Sequence, residues 1–213
     1  MVALGPVRSV LRPVAAAIRL ATKRRRLRIR CAASRPLWVE LGAAGVGEPG
    51  WVLTNIDVLD ITSERDWRRL FAPGSIDALL AEHVWEHLDL EDGRRAARNC
   101  FAFLRPGGYL RAAVPDGLHP APEYREMVKP GGTGLGADDH RVLFDYRSFA
   151  AIFTDCGFRV ELLEHFDETR RFVFRPWSPD AGMVHRSSRY DERNAGGALN
   201  YTSVILDAIK ERA

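Results

Sequence analysis

The chain has 213 residues, 46% of them hydrophobic and 28% charged, with 31 Lys or Arg against 28 Asp or Glu and a formal net charge of +3. That length suits one α/β domain with short additions and excludes two full domains, and the composition excludes a disordered or fibrous chain. Cys31, Cys100 and Cys156 are too far apart for a zinc ribbon or redox pair, and no apolar run of about 18 residues is available to span a bilayer, so the expectation is a cytoplasmic protein.

Charge is distributed unevenly. Residues 1–39 hold ten Lys or Arg and no acid, which leaves 21 basic against 28 acidic residues over 40–213, a net of −7. The division expected is a basic leader over 1–35 and a mildly acidic body over 36–213. From Pro13 the leader reads as a short helix, with Val14, Ile18 and Ala21 on one side and Arg12, Arg19, Lys23 and Arg26 on another. Such a stripe suits docking on the parent domain or, through residues 1–30, contact with an anionic membrane surface or an acidic partner. No specific nucleic-acid contact is expected. An Arg-rich, acid-free start also has the character of a transit peptide, although it is poor in Ser.

In the body, Leu37 to Leu41 is a short apolar run entering a turn of small residues, Gly42 to Gly47, and is expected to be a buried strand. The run Trp51 to Ile56 ends at Asp57, and Ser75 to Ala81 is a third strand entered from Pro73-Gly74. Only nine residues, 42–50, join the first two strands, whereas a parallel crossover normally needs about a dozen or more, so the first connecting helix is short or absent. Asp89 is placed to cap the next helix, with Ala97, Phe101 and Leu104 inward and Pro106-Gly107-Gly108 as its stop, before a strand over Tyr109 to Val114.

Residues 115–145 are punctuated by prolines and glycines, which marks a long functional loop, the candidate acceptor-side lid. Ser148 to Cys156 is a helix closed by Gly157, followed by a strand over Phe158 to Leu163. Arg171 to Phe174 and Tyr201 to Ala208 are late strands, with a polar, irregular segment between them. Strands alternating with helices predict a mostly parallel sheet, and late strands without helices predict an antiparallel edge. Ligands of such sheets bind beyond the carboxyl ends of the strands.

The strand ends carry Val39-Glu40-Leu41-Gly42-Ala43-Ala44-Gly45, then Asn55-Ile56-Asp57, Ala81-Glu82-His83-Val84-Trp85-Glu86-His87-Leu88 and Leu104-Arg105-Pro106-Gly107-Gly108-Tyr109-Leu110. In that order they resemble the class I S-adenosylmethionine-dependent methyltransferases, most nearly the type 11 group and a branch of unknown substrate, over about residues 36–165. The resemblance implies a Rossmann-like α/β fold with a mostly parallel, seven-stranded-type sheet and an antiparallel edge. It implies S-adenosyl-L-methionine as cofactor and methyl transfer to an unidentified acceptor by in-line displacement. Two points have an independent physical basis. The small-residue turn at Gly42, Ala43 and Gly45 lets backbone approach a ligand, and Asp57 at a strand end can accept from ribose hydroxyls. By resemblance, Glu40 lies under the methionine moiety, Asp60 and Ile61 near adenine, and Glu82 with His83 beside the cofactor.

Other readings compete. His83 to His87 matches His-x-x-Glu-His, a zinc-protease spacing, but it follows a strand directly and is assigned to a junction lining the cofactor pocket, with no metal expected. Gly42 to Gly47 departs from the dinucleotide-binding glycine order. Asp138-Asp139-His140 in the lid is read as a solvated or capping group that could serve as acid, base or ligand. For a hydroxyl acceptor the candidate bases are His83, Asp116 and His140. Ala44, where the family has glycine, and the short first connection motivate one alternative: a catalytically inactive methyltransferase-like binding protein whose basic leader contacts a membrane or partner.

Overall fold

The computed structural model describes residues 7–43, 45 and 47–212, with side chains from residue 15. Helix α1, Val7–Ala33, is longer than the sequence predicts, and Pro13 lies inside it rather than opening it. Its inner stripe also differs. Leu20 and Leu27 pack against the core and Cys31 is buried within it, while Ile18, expected on the docking side, is 61% exposed and Ala21 is exposed too. Polar anchors override the apolar pattern here. Arg24 bonds Val58 O at 3.2 Å and Asp66 at 3.2 Å, and Arg30 bonds Trp51 O at 2.9 Å. The positions 20, 24, 27 and 31 form one helical face, and that face meets the body.

Strand β1, Trp38–Leu41, leads without any helix among the described residues to β2, Val52–Leu53, as the short connection requires. Helix α2, Glu64–Leu70, is capped by Ser63 and precedes β3, Ile76–Glu82. Asp89 accepts from Asp92 N to cap α3, Leu90–Phe103. That helix ends before the Pro-Gly-Gly stop. Strand β4, Leu104–Pro115, begins at once, and residues 105–108 form an excursion across which its register to β3 jumps. The lid contains a helix, α4, Pro122–Val128, and is followed by α5, Tyr146–Thr154, which Asp145 and Ser148 open with a reciprocal capping box. Strands β5, Arg159–Phe166, β6, Phe172–Phe174, and β7, Ser203–Ile209, complete the sheet.

The seven strands are ordered β2-β1-β3-β4-β7-β5-β6. β1 to β4 are mutually parallel, and β7 enters antiparallel between β4 and β5. The antiparallel character is therefore found inside the sheet as well as at the β6 edge. Leu79 and Ala81 face a core built with α1, α2, α3 and α5, where Cys31, Trp67, Phe103, Phe149 and Phe153 are buried. Ala78 and Leu80 face the other way, toward Trp51, Val184 and Trp177.

No α-helix packs in the core cluster of that second face among the described residues, although the chain over it makes short 3-10 turns at Pro179–Ala181 and Glu192–Asn194. Residues 176–202 form an irregular strap instead, held by side chains that take up its backbone groups. Arg111, whose side chain is 3% exposed, pairs with both oxygens of Asp207 at 2.9 Å and donates to Ser178 O and Gly182 O at 2.8 Å. Tyr109 Oη donates to Ala181 O at 2.7 Å, and buried Glu164 accepts from Trp177 Nε1 and Ser188 N at 2.8 Å. A strap whose only regular pieces among the described residues are short 3-10 turns survives burial because its polar groups are paired in this way. Among the described residues no helix is long and apolar enough to cross a membrane.

Candidate functional site

The parallel register aligns the carboxyl ends of β1 and β3, with Leu41 opposite Ala81. Chain that leaves these two tips forms the floor of a cavity of about 920 Å³. The strap and the lid roof it, the strap through His185, Arg186 and Tyr190 to Arg193, the lid through Met127, Val128, Leu135 and Ala137.

On the floor, Glu40 accepts from Glu48 N at 2.9 Å, and burial raises its carboxyl above the ordinary value. Gly42 turns the chain at φ +70°, and a Cβ there would meet Val84 Cγ2 at 2.7 Å. Both facts demand glycine and leave bare backbone at the cavity wall. Glu82 turns its carboxylate to the roof, where Oε2 accepts from His185 N at 3.0 Å and Oε1 from Arg186 N at 2.7 Å. Glu48 joins the same wall and holds His185 Nε2 at 2.8 Å. Arg186 Nη1 stands 3.5 Å from Glu82 Oε1 and offsets part of its charge, so three carboxylates against one guanidinium leave this wall acidic and favour a cationic ligand group.

The other side is built from imidazoles. His83 adopts φ +55°, a conformation uncommon outside glycine, and its Nε2 meets Ser203 Oγ at 3.0 Å. Burial holds its pKa well below the usual imidazole value, so the ring is neutral. Glu86 is 1% exposed, and burial pushes its carboxyl up to about 8. His83 Nδ1 stands 3.1 Å from Glu86 Oε1, yet neither carboxylate oxygen of Glu86 is in hydrogen-bonding alignment with any donor among the described residues. His140 Nδ1 bonds the Val128 carbonyl at 2.8 Å; since a carbonyl only accepts, Nδ1 carries the proton and the neutral ring keeps its lone pair on Nε2.

Of the residues expected to hold a cofactor, Glu40, Gly42, Ala43, Glu82 and His83 meet around this cavity. Four do not. Asp57 is half-exposed and pairs with Lys23 of α1; β2 ends at Leu53, so Asp57 sits in the turn beyond the strand. Asp60 accepts from Thr62 N at 2.9 Å and Thr62 Oγ1 at 2.7 Å, while Ile61 is buried under Trp67 and Asn99. Gly45 has φ +91° with open space around it, and Ala44 lies outside the described residues. Among the candidate bases, His83 and His140 line the cavity. Asp116 does not; it is fully buried, and its oxygens accept from Leu118 N at 2.8 Å and Phe166 N at 2.7 Å.

Sequence reasoning missed Glu48, His185, Arg186 and Arg193 because each reaches the cavity through tertiary folding of an irregular segment. Glu86 and His87 carried a signal, the His-x-x-Glu-His spacing. The structure shows a 3-10 turn over Trp85–His87 at a strand-to-helix junction, so the two histidines do not share a helical face. Trp85 is buried against Phe153 and packs rather than stacking on a ligand.

Residues 54–112 match the family model described as a methyltransferase domain. The matched segment lies within a seven-stranded sheet of Rossmann-like α/β arrangement, mostly parallel with antiparallel strands toward one side. No curated protein matches the chain. A Thermotoga maritima S-adenosylmethionine-dependent methyltransferase, described as a possible histamine N-methyltransferase, is similar at 16% identity over 86% of each chain, TM-score 0.48. An Archaeoglobus fulgidus S-adenosylmethionine-dependent methyltransferase is similar at 13% identity over 90% of this chain and 94% of its own, TM-score 0.49. Phosphoethanolamine N-methyltransferase 2 of Haemonchus contortus, in complex with S-adenosyl-L-methionine, is similar at 12% identity over 90% of this chain and 53% of its own, TM-score 0.46.

Proposed function

We propose that the cavity binds S-adenosyl-L-methionine and that the protein transfers its methyl group to an acceptor admitted beside the lid. The observation that carries this reading is the convergence of Glu40, Gly42 and Glu82 on one cavity wall, within a fold whose residues 54–112 match a methyltransferase domain. The bare Gly42 backbone fits close approach by a ligand, and the acidic wall fits a positive one.

When bound, S-adenosylmethionine supplies a methyl group already activated on a sulfonium, so no covalent enzyme intermediate is needed. The chain's contribution is alignment and exclusion of water. Glu40, Glu48 and Glu82 hold the cationic end, and Glu82 also fastens the strap over it. The apolar lid residues Met127, Val128 and Leu135 border the acceptor side. For a hydroxyl acceptor, His140 presents the better-placed base, because Nε2 keeps its lone pair while both nitrogens of His83 face other side chains.

Calorimetric titration of the full chain with S-adenosylhomocysteine tests the reading. Saturable heat with one site per chain is expected; a folded protein that gives none overturns it. Labelled methyl transfer from S-adenosylmethionine into cell extract then reports the acceptor class.

A further inference from the structure

The imidazole side of the cavity contains a cluster that methyl transfer by itself does not require. One ligand atom each from Glu86, His87 and His140 lies within 4.8 Å of the others. Glu86 is the unusual member. A carboxylate this deeply buried normally has donors on both oxygens, and this one has none in hydrogen-bonding alignment. Leaving such a group unpartnered is costly.

Two features show that the cluster is built rather than incidental. Arg141 N donates to Glu86 O at 2.7 Å and Val142 N to the same oxygen at 3.3 Å, which pins the lid segment carrying His140 against the turn carrying Glu86 and His87. The Val128 carbonyl fixes the His140 tautomer with Nε2 available, the device that orients histidines at metal centres. Asp139 Oδ1 stands 2.7 Å from His87 Nδ1 and places a further carboxylate at the edge.

We propose that Glu86, His87 and His140 bind one divalent transition-metal ion of the zinc class at the cavity wall. Two imidazoles and a carboxylate suit zinc and its first-row neighbours, whereas calcium and magnesium prefer shells made of oxygen. Three protein ligands leave a coordination position open, and all three residues line the cavity, so that position faces it. His83 is not a ligand, so the arrangement is not the protease one; its place is taken by His140 from the lid. On the methyl-transfer reading, and resting on it, the open position receives an acceptor hydroxyl or thiol; the cation would lower its pKa so that the proton passes to water, with His140 a ligand instead of the base, and the resulting anion would take the methyl group as S-adenosylhomocysteine leaves.

The test uses untagged full-length protein stripped with a chelator and titrated with Zn²⁺, with retained metal counted after desalting. One equivalent is expected, and Co²⁺ in its place should give the visible absorption of a low-coordinate nitrogen and oxygen site. His87→Asn and His140→Asn should each weaken binding by about a hundredfold or more, while His185→Asn, outside the cluster, should leave metal affinity unchanged. Absence of stoichiometric binding overturns the proposal, as does equal loss in all three variants. Should the variants fail to fold, the wild-type Co²⁺ spectrum decides: that of the hydrated ion overturns the proposal. S-adenosylhomocysteine is titrated into the same samples. Nucleoside binding without metal overturns only the metal site, and metal binding without nucleoside overturns only the methyl-transfer reading.

Discussion

The floor and the roof of the cavity are held by different physics. The floor is two aligned parallel strand tips, β1 and β3, whose positions follow from apolar runs of a few residues and a register that sets Trp38 to Leu41 beside Ala78 to Ala81. The roof is a strap and a lid without continuous regular structure, the strap kept in place by single side chains that reach far along the sequence, as Arg111 does to Ser178 across 67 residues and Glu82 to Arg186 across 104. A floor of this kind tolerates many sequences. A roof of this kind depends on a handful of polar residues, of which Arg111 and Glu164 each leave more than one partner unpaired when removed.

Arg111→Met should therefore be the most damaging change. It strands the Asp207 carboxylate and two carbonyls in a nearly dry site, which costs about 3–5 kcal/mol. Denaturant unfolding measures the loss, and faster proteolysis within 176–202 locates it. A variant within about 1 kcal/mol of the parent would break the contrast between roof and floor.

Asp116→Asn comes next. Its carboxyl, ordinarily near 3.8, is pushed up to about 6 by burial, despite the Leu118 and Phe166 amides that favour the charged form. A folded-state value above the unfolded one means that the folded protein holds the proton longer. This contribution favours folding at about pH 4 and below, is lost as the pH rises through about 6, and amounts to roughly 3 kcal/mol. Asn has no such titration. The variant should gain on the parent by about that amount between pH 4 and pH 7 in paired melts, from a baseline lowered by one lost amide bond. A difference that stays constant with pH would remove Asp116 as a titrating anchor of the lid's root.

What was legible in the sequence divides along the same line. The strands at Leu37 to Leu41 and Ser75 to Ala81, the Asp89 cap and the Gly157 stop are local signals, and each forms within a few residues of its expected place. Gly42 and Glu82 reach the cavity for the same reason. Asp57 does not, because β2 is two residues long and ends before it, a length decided by tertiary pairing rather than by the apolar run. The α1 face was misjudged because Arg24 and Arg30 anchor it through carbonyls and a carboxylate of the body, which periodicity of apolar residues cannot show. The strap left even less trace: its anchors, Arg111, Glu164 and Tyr109, read as ordinary strand residues until the sheet brings 176–202 over them.

On the floor, a pair of glycine variants sharpens the contrast. Gly42→Ala and Gly45→Ala both place a side chain at positive φ, a strain of about 1–2 kcal/mol. Only at Gly42 does the new methyl meet a neighbour, Val84 Cγ2 at 2.7 Å, and only Gly42 lines the cavity. Melting should fall for both and further for Gly42→Ala, which adds the Val84 clash to the strain, while S-adenosylhomocysteine affinity should fall by roughly tenfold, about 1.4 kcal/mol, for Gly42→Ala alone. Equal losses of affinity would mean that the ligand reads the whole turn rather than the one residue at the strand tip.

The smallest effect distinguishes charge from shape. Glu40→Gln keeps the volume and an acceptor for Glu48 N but removes a carboxylate from the acidic wall. A sulfonium is positive and a thioether is neutral, so the loss should fall mainly on S-adenosylmethionine and lower its affinity relative to S-adenosylhomocysteine. At the screening found near protein surfaces the difference is on the order of 1 kcal/mol, a factor of about five. Because burial already raises the Glu40 carboxyl, the discrimination should widen as the pH is taken upward and the charged form gains. Identical losses for both ligands at every pH would show that Glu40 shapes the wall without charging it, and the cationic preference would then rest on Glu48 and Glu82.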